Sequence, residues 1–183
     1  MFAAVADTIT ERGPHRWTLD EIAERVGLTG PALGFRFGSK RKLLIAFAAD
    51  QPAATADRFH RITTNAQSAR AAIIDSLTAL TASMTTQAEV ANNVAMLGLD
   101  LADAELRAYA AEQAGVIKTA LASTIRSTAP DGDSAEGDAA AAAEYIYVVW
   151  SGALIAWAIA GRGTISEAVG RALDQCLDHL DID

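Results

Sequence analysis

Apolar residues recur along most of this chain at three- and four-residue spacing, the mark of helices that each bury one face. Phe2, Val5, Ala6 and Ile9 form the first stripe, and Gly13-Pro14 ends it. Two short patterns follow on either side of Gly27-Leu28-Thr29, with Ile22, Ala23 and Val26 in one and Ala32, Leu33 and Phe37 in the other. Thr18 and Glu21 have the spacing of a capping box, and Trp17 and Ile22 are placed to close a hydrophobic staple across it. Gly27 supplies a left-handed stop, after which Thr29 caps the next helix with Pro31 in its first turn. A Gly38-Ser39-Lys40 corner then opens a helix carrying Leu43, Leu44, Phe47 and Ala48. The stripe resumes at Ala56, Phe59 and Ile62 beyond Pro52, so a kinked connector is expected there.

The larger remainder repeats the same periodicity. Ile73, Ile74, Leu77, Leu80, Thr81 and Met84 make one stripe, and Val90, Val94 and Leu97 a shorter one. A long helix follows through Leu106, Tyr109, Ala110, Gln113, Val116, Ile117, Leu121 and Ile125, with Asp103 as its cap. Residues 127 to 137, STAPDGDSAEG, read as a polar loop. The DGDSAEGD within it hints at a calcium loop, but Ala135 and Ala142 occupy two ligand positions and the reading fails.

From Tyr145 to Gly161 run 17 residues without a charge, the lower limit for a membrane span. Glu144, many alanines and the lack of a basic flank point instead to a buried helix packed on both sides. Its small face, Val149, Gly152, Ala153, Ala156 and Ala160, admits close approach of another helix. The last helix opens with a Thr164/Glu167 capping box and lines up Ile165, Val169, Ala172, Leu173, Cys176, Leu177 and Leu180. These two helices are placed to pair with their copies, so the small face together with Val169, Leu173, Cys176 and Leu177 is the expected dimer interface.

Composition adds three constraints. At 183 residues, alanine-rich and poor in proline, the chain can bury a sizeable all-helical core. One cysteine rules out a disulfide framework, and the absence of a basic segment followed by an apolar one makes a cytoplasmic protein the expectation. The net charge is −8, yet residues 1 to 50 carry +1 and the rest −9, so a weakly positive end sits on an acidic body.

Catalytic signatures are missing. His15, His60 and His179 have no ligand spacing, and no phosphate loop, H-E-x-x-H or nucleophile elbow occurs, so neither enzyme activity, metal nor cofactor is expected. Two short helices joined by a tight turn are, by contrast, the layout of a helix-turn-helix, whose second helix enters the DNA major groove. Arg36 on that helix can read guanine or grip phosphate, and Lys40 at the next helix start suits a phosphate.

The succession AAVADTITERG, TLDEIAERVGL and PALGFRFGSK followed by LL resembles the amino-terminal domain of the tetracycline-repressor (TetR) family of transcriptional regulators, over about residues 3 to 47. The resemblance implies an all-α protein with a helix-turn-helix domain at residues 1–47 and a helical ligand-binding and dimerisation domain at 48–183. It also implies a homodimer, a palindromic double-stranded DNA operator, and a small-molecule effector that releases the DNA, with no membrane involved. It places Thr18, Thr29, Gly30, Ala32, Gly34, Phe35, Arg36 and Lys40 toward DNA. Gly34 departs from the pattern, because the family commonly has a tyrosine there, and no basic arm precedes the first helix. The alternative is a helical ligand- or protein-binding module that keeps the fold with weak DNA affinity. For the effector, Met84, Asn93, Met96, Tyr109, Tyr147, Trp150 and Trp157 offer apolar surface with polar handles. Few cations lie in this acidic half, so an apolar, neutral or cationic ligand is expected.

Overall fold

The computed structural model describes residues 1–127 and 134–183, and these form nine helices with no strand. The helices are α1 (Phe2–Arg12), α2 (Leu19–Arg25), α3 (Gly30–Phe37), α4 (Lys40–Thr63), α5 (Ala69–Thr81), α6 (Gln87–Ala102), α7 (Ala104–Arg126), α8 (Ser134–Ala160) and α9 (Ile165–His179). Their starts are set by local chemistry. Side chains of Thr18, Thr29, Ser39, Ser68, Thr86, Asp103 and Thr164 each accept a hydrogen bond from a backbone N–H of the first turn. Each such cap contributes about 1 kcal/mol. Capping boxes close at Thr18/Glu21, Thr86/Glu89 and Thr164/Glu167.

The stop after α2 is a Schellman turn. Leu28 N–H donates to the Ala23 carbonyl at 2.8 Å and Gly27 N–H to that of Glu24 at 3.2 Å, with Gly27 at φ 70°. That geometry turns α3 across α2 in only a few residues. A Cβ on Gly30, the first residue of α3, would lie 1.4 Å from Asp20 Oδ1, so a larger residue there requires that exposed side chain to turn away.

α1, α2, α3 and the start of α4 close around Val5, Ile9, Trp17, Ile22, Leu33, Leu43 and Leu44. Met96 of α6 and Leu106 of α7 belong to the same buried cluster, so the head shares its core with the body. The second cluster is formed chiefly by Ile73, Leu77, Ile117, Leu121, Ile146, Val169, Leu173 and Leu177. Here α7 packs between α4 and α8, while α9 packs between α8 and α5.

Pro52 lies within a single α4 that runs from Lys40 to Thr63 and connects the two parts of the molecule. Pro52 cannot donate to the Ala48 carbonyl, and nearby the Gln51 side chain donates to the Phe47 carbonyl at 3.4 Å. The polar loop is shorter than expected, since α8 has begun by Ser134; residues 128–133, with part of the rejected calcium loop, lie outside the described residues.

α8 is not packed on both sides. Ile146, Trp157 and Ala143 face the core, but Tyr145, Val148, Ile155 and Ile159 are exposed, Ile159 at 80%. The span Gly137–Ala160 is long and apolar enough to cross a membrane by length and composition. Its inner face is nonetheless committed to the protein core through Tyr147, Val149, Trp150 and Leu154 as well.

Val169, Leu173, Cys176 and Leu177 were expected in a dimer interface, and the structure corrects this. All four are buried within the chain, between 0 and 4% exposed, and belong to the second core cluster. A side chain already enclosed by its own subunit has no area left to offer a partner. The outer face of α9 is instead polar, with Arg171, Asp174, Gln175 and Asp178 exposed.

Candidate functional site

Two places on this scaffold are candidates for binding. The first is the outer face of α3. Leu33 alone on this helix is fully buried, which aims Ala32, Phe35 and Arg36 outward. Phe35 is 97% exposed. A lone, fully solvated phenyl ring has no part in the fold. Arg36 rests over the Phe37 ring, its guanidinium carbon 5.4 Å from the centroid. Thr18 and Thr29 are exposed at the starts of α2 and α3, where both also act as caps.

Gly34 is one turn's neighbour to this face, and a Cβ there would meet nothing within 4 Å. The backbone of this glycine is ordinary helix, so no strain requires it. Gly34→Ala is expected to stabilise the protein by about 0.5–1 kcal/mol, read as a rise in Tm of about 1–4 °C in thermal unfolding. A lower Tm would show that α3 is held differently.

The cations of the head divide into engaged and available. Arg12 pairs with Glu21 and Arg25 with Glu11, binding α1 to α2. Arg41 makes a two-pronged contact to Asp103, at 2.8 and 3.1 Å, and reaches Glu105 at 3.2 Å. Lys40 was expected to face phosphate, and this is corrected. Its ammonium donates to the carbonyls of His15 at 3.0 Å and Trp17 at 2.9 Å and lies 4.1 Å from the centroid of the Trp17 ring. Burial there lowers its pKa from the ordinary lysine value. Lys40 fastens the α1–α2 connector to α4. Arg16, Arg36 and Lys42 remain without an acidic partner among the described residues, and Lys42 was not singled out from sequence. Its signal was the run Lys40-Arg41-Lys42, in which local pattern cannot say which cation stays free.

The second place is a cavity of about 410 Å³ walled by α1, α4, α6, α7 and α8, with Leu80, Ser83 and Met84 from the end of α5. Met84, Asn93, Met96, Tyr109, Tyr147 and Trp150 all line it. Trp157 does not, which corrects its assignment. It is buried, and its indole N–H donates to the Gly163 carbonyl at 3.1 Å, fixing the turn from α8 to α9.

Several polar wall residues escaped the sequence reading, namely Thr10, Gln51, Thr55, Arg58, Asp100 and Gln113. Four of them come from α1 and α4, which the linear pattern assigns to a head and a connector. Gln113 donates to the Thr55 hydroxyl at 3.2 Å, spanning α7 to α4. Arg58 donates to the Ala79 carbonyl at 3.1 Å.

Asp100 has no hydrogen-bond or ion-pair partner among the described residues, and burial pushes its pKa up to about 6. A carboxyl with a raised folded pKa binds its proton more tightly in the native state. Its contribution is fully favourable below the unfolded value of about 4 and is lost as pH rises through about 6. Asp100→Asn is therefore expected to stabilise the free protein at pH 7.5 by about 1–2 kcal/mol, reduced for the solvent that still reaches the group. The gain should vanish by pH 4 in denaturant melts. An equal effect at both pH values would mean that the charge of Asp100 is not what matters.

Head and cavity are tied by specific bonds. Asn92 of α6 donates to the Thr10 carbonyl of α1 at 2.9 Å, and a Cβ on Gly13 would sit 2.9 Å from Asn92 Oδ1. Asp103, which caps α7, receives Arg41 from the first turn of α4. No group of three or more His, Cys, Asp or Glu capable of holding a metal occurs among the described residues.

A helix-turn-helix head joined to a helical body with a cavity is an architecture found in DNA-binding transcriptional regulators. Residues 2–47 match the family model described as bacterial regulatory proteins, tetR family. The fold matches a TetR transcriptional regulator from Legionella pneumophila at TM-score 0.75 and 19% identity, covering 100% of this chain and 95% of that one. FadR from Bacillus subtilis, solved in complex with stearoyl-CoA, matches at TM-score 0.63 and 16% identity over 96% and 95% of the two chains. A TetR-family regulator described from Mesorhizobium loti matches at 0.67 and 14%, over 97% and 93%. No curated protein sequence matches. Residues 2–47 thus carry the amino-terminal domain pattern of the tetR family, and the fold of the whole chain is similar to that of solved TetR-family regulators.

Proposed function

We propose that this protein is an effector-controlled repressor that binds a palindromic operator as a homodimer in the cytoplasm. The observation that carries the reading is the shared wall: Ile9 of α1 and Phe47 and Ala48 of α4 line the cavity and also belong to or pack against the core of the head. A ligand that fits the cavity only when these helices shift would favour one head position over another, which is all that allosteric control requires. The division of labour follows residues 1–47 for DNA and 48–183 for ligand and dimerisation. Arg36 and Phe35 are assigned to base edges, and Arg16 and Lys42 to phosphates.

Dimerisation is assigned to the open face of α8, where exposed Tyr145, Val148, Ile155 and Ile159 flank the small Gly152, Ala156 and Ala160. An apolar strip this long on a soluble regulator is a surface that water disfavours and a second copy covers.

Lys40's inward position and Gly34 favour a second reading, in which the fold is kept but DNA affinity is weak. One experiment separates the two. Selection from random duplexes should enrich inverted repeats, bound at least about a thousandfold more tightly than random DNA at physiological salt. Enrichment of unrelated sequences without two-fold symmetry would reject the repressor reading in favour of the second.

A further inference from the structure

We propose that the cavity takes an amphipathic organic cation, an amine or quaternary ammonium, held by the Asp100 carboxylate with its apolar part against Met84, Met96, Tyr109 and Trp150. This rests on the cavity being the effector site and adds the chemical class of the effector.

The cavity wall holds two charged side chains, Asp100 and Arg58. They are not equivalent. Arg58 is solvent-exposed and spends one guanidinium N–H on the Ala79 carbonyl at the end of α5, where a helix terminus favours a cation. Asp100 sits half-buried on α6, with no donor and no ion pair among the described residues. Burial is what raises its pKa, and no ion pair joins it to Arg58. A desolvated carboxylate without a partner is unfavourable in the free protein, and the partner it lacks is a positive charge.

The surroundings select the kind of cation. No other Asp or Glu joins Asp100 to make a metal-binding group among the described residues, and a hard metal ion prefers several oxygen ligands. The remaining wall combines neutral polar groups, Thr10, Gln51, Thr55 and Gln113 among them, with thioether, aromatic and aliphatic surface that suits the hydrocarbon part of an organic cation. Tyr109 and Trp150 add aromatic rings, whose faces attract an ammonium. A volume of about 410 Å³ lies within the range of small-molecule sites. The same carboxylate disfavours a fatty acid or other anion in this part of the cavity.

The test uses three naphthalene probes of nearly the same shape: 1-naphthylmethylamine, 1-naphthylmethanol and 1-naphthylacetate. Binding to the whole protein is measured by titration calorimetry at pH 7.5. The amine should bind at least about tenfold more tightly than the alcohol, and the acetate most weakly. Asp100→Asn should reduce the amine's advantage to less than about twofold while the alcohol is unaffected, and Asp100→Glu should keep a clear preference for the amine. A thermal melt of each variant verifies folding.

Equal binding of amine and alcohol to the native protein overturns the cation assignment but leaves the cavity as a ligand site. Tightest binding of the acetate, abolished by Arg58→Gln, replaces it with an anionic effector. No binding of any probe at millimolar concentration overturns both the assignment and the effector-site reading.

Discussion

Gly152→Arg is expected to turn the proposed dimer into a folded monomer and to abolish tight binding to the proposed operator. The position is chosen because a Cβ on Gly152 meets nothing within 4 Å in the subunit, so the new side chain has room in the monomer. Arginine is also a better helix former than glycine by about 0.8 kcal/mol, so α8 should not be weakened. Against a second copy of the α8 face the same side chain would place a charge in the middle of an apolar strip and hold the two helices apart. Losing the second reading head removes the linkage between half-sites, which is worth about 10²–10⁴ in affinity. Sedimentation equilibrium at micromolar protein should give the mass of one chain, with the helical circular dichroism of the native protein retained. Ile159→Glu, at a residue 80% exposed, should act in the same direction. Should both variants remain dimeric, the assignment of the interface to α8 is wrong.

Phe35→Ala should separate DNA reading from folding in the opposite part of the molecule. Because Phe35 is 97% exposed, its removal should change stability by no more than about 0.5 kcal/mol. Its ring has no hydroxyl to offer a phosphate, so its value at DNA is apolar contact, and in the major groove the apolar mark is the thymine methyl group. Loss of one such contact per half-site should cost about 1–3 kcal/mol each, the usual cost of one unread base position, or about a 5- to 150-fold loss for each head. Replacing the contacted thymines by uracil, which lacks the methyl, should weaken the native protein and leave the variant unchanged. Arg36→Ala should weaken operator binding as well. Native affinity in both variants would mean that α3 presents another face to DNA.

These two variants draw on different degrees of legibility. The helix starts at Thr18, Thr29, Asp103 and Thr164 were readable because a cap is a relation between residues at most three apart. Six of the seven expected ligand residues do line the cavity, since large apolar side chains with polar tips at inner helical positions commonly end around internal space. Lys40 was misread for the complementary reason. Its partners are the carbonyls of His15 and Trp17, 25 and 23 residues away, and a backbone carbonyl leaves no trace in sequence. Trp157 was misread because nothing in its helix shows that Gly163 folds back beneath its indole.

The α8 and α9 pair makes the contrast sharpest. α9 has a clear apolar face, and the sequence placed Val169, Leu173, Cys176 and Leu177 together on it. Periodicity states which residues share a face but not whether that face meets the same subunit or another. In the structure α5 and α8 cover it. α8 is apolar all round, so it has no periodic signal from which an inner face could be chosen. Only its packing against α7 and α9 leaves Tyr145, Val148, Ile155 and Ile159 outside.

The sequence by itself determined that this is an all-helical protein with a capped helix-turn-helix at its amino end, since caps, turns and 3.6-residue stripes act over one or two helical turns. The tertiary structure alone decided which cations of the head remain free, which face of α8 is open, and that Asp100 shares a cavity with Thr10 and Gln51. Those facts depend on residues brought together from distant helices, and burial and charge pairing are properties of such meetings rather than of any local stretch.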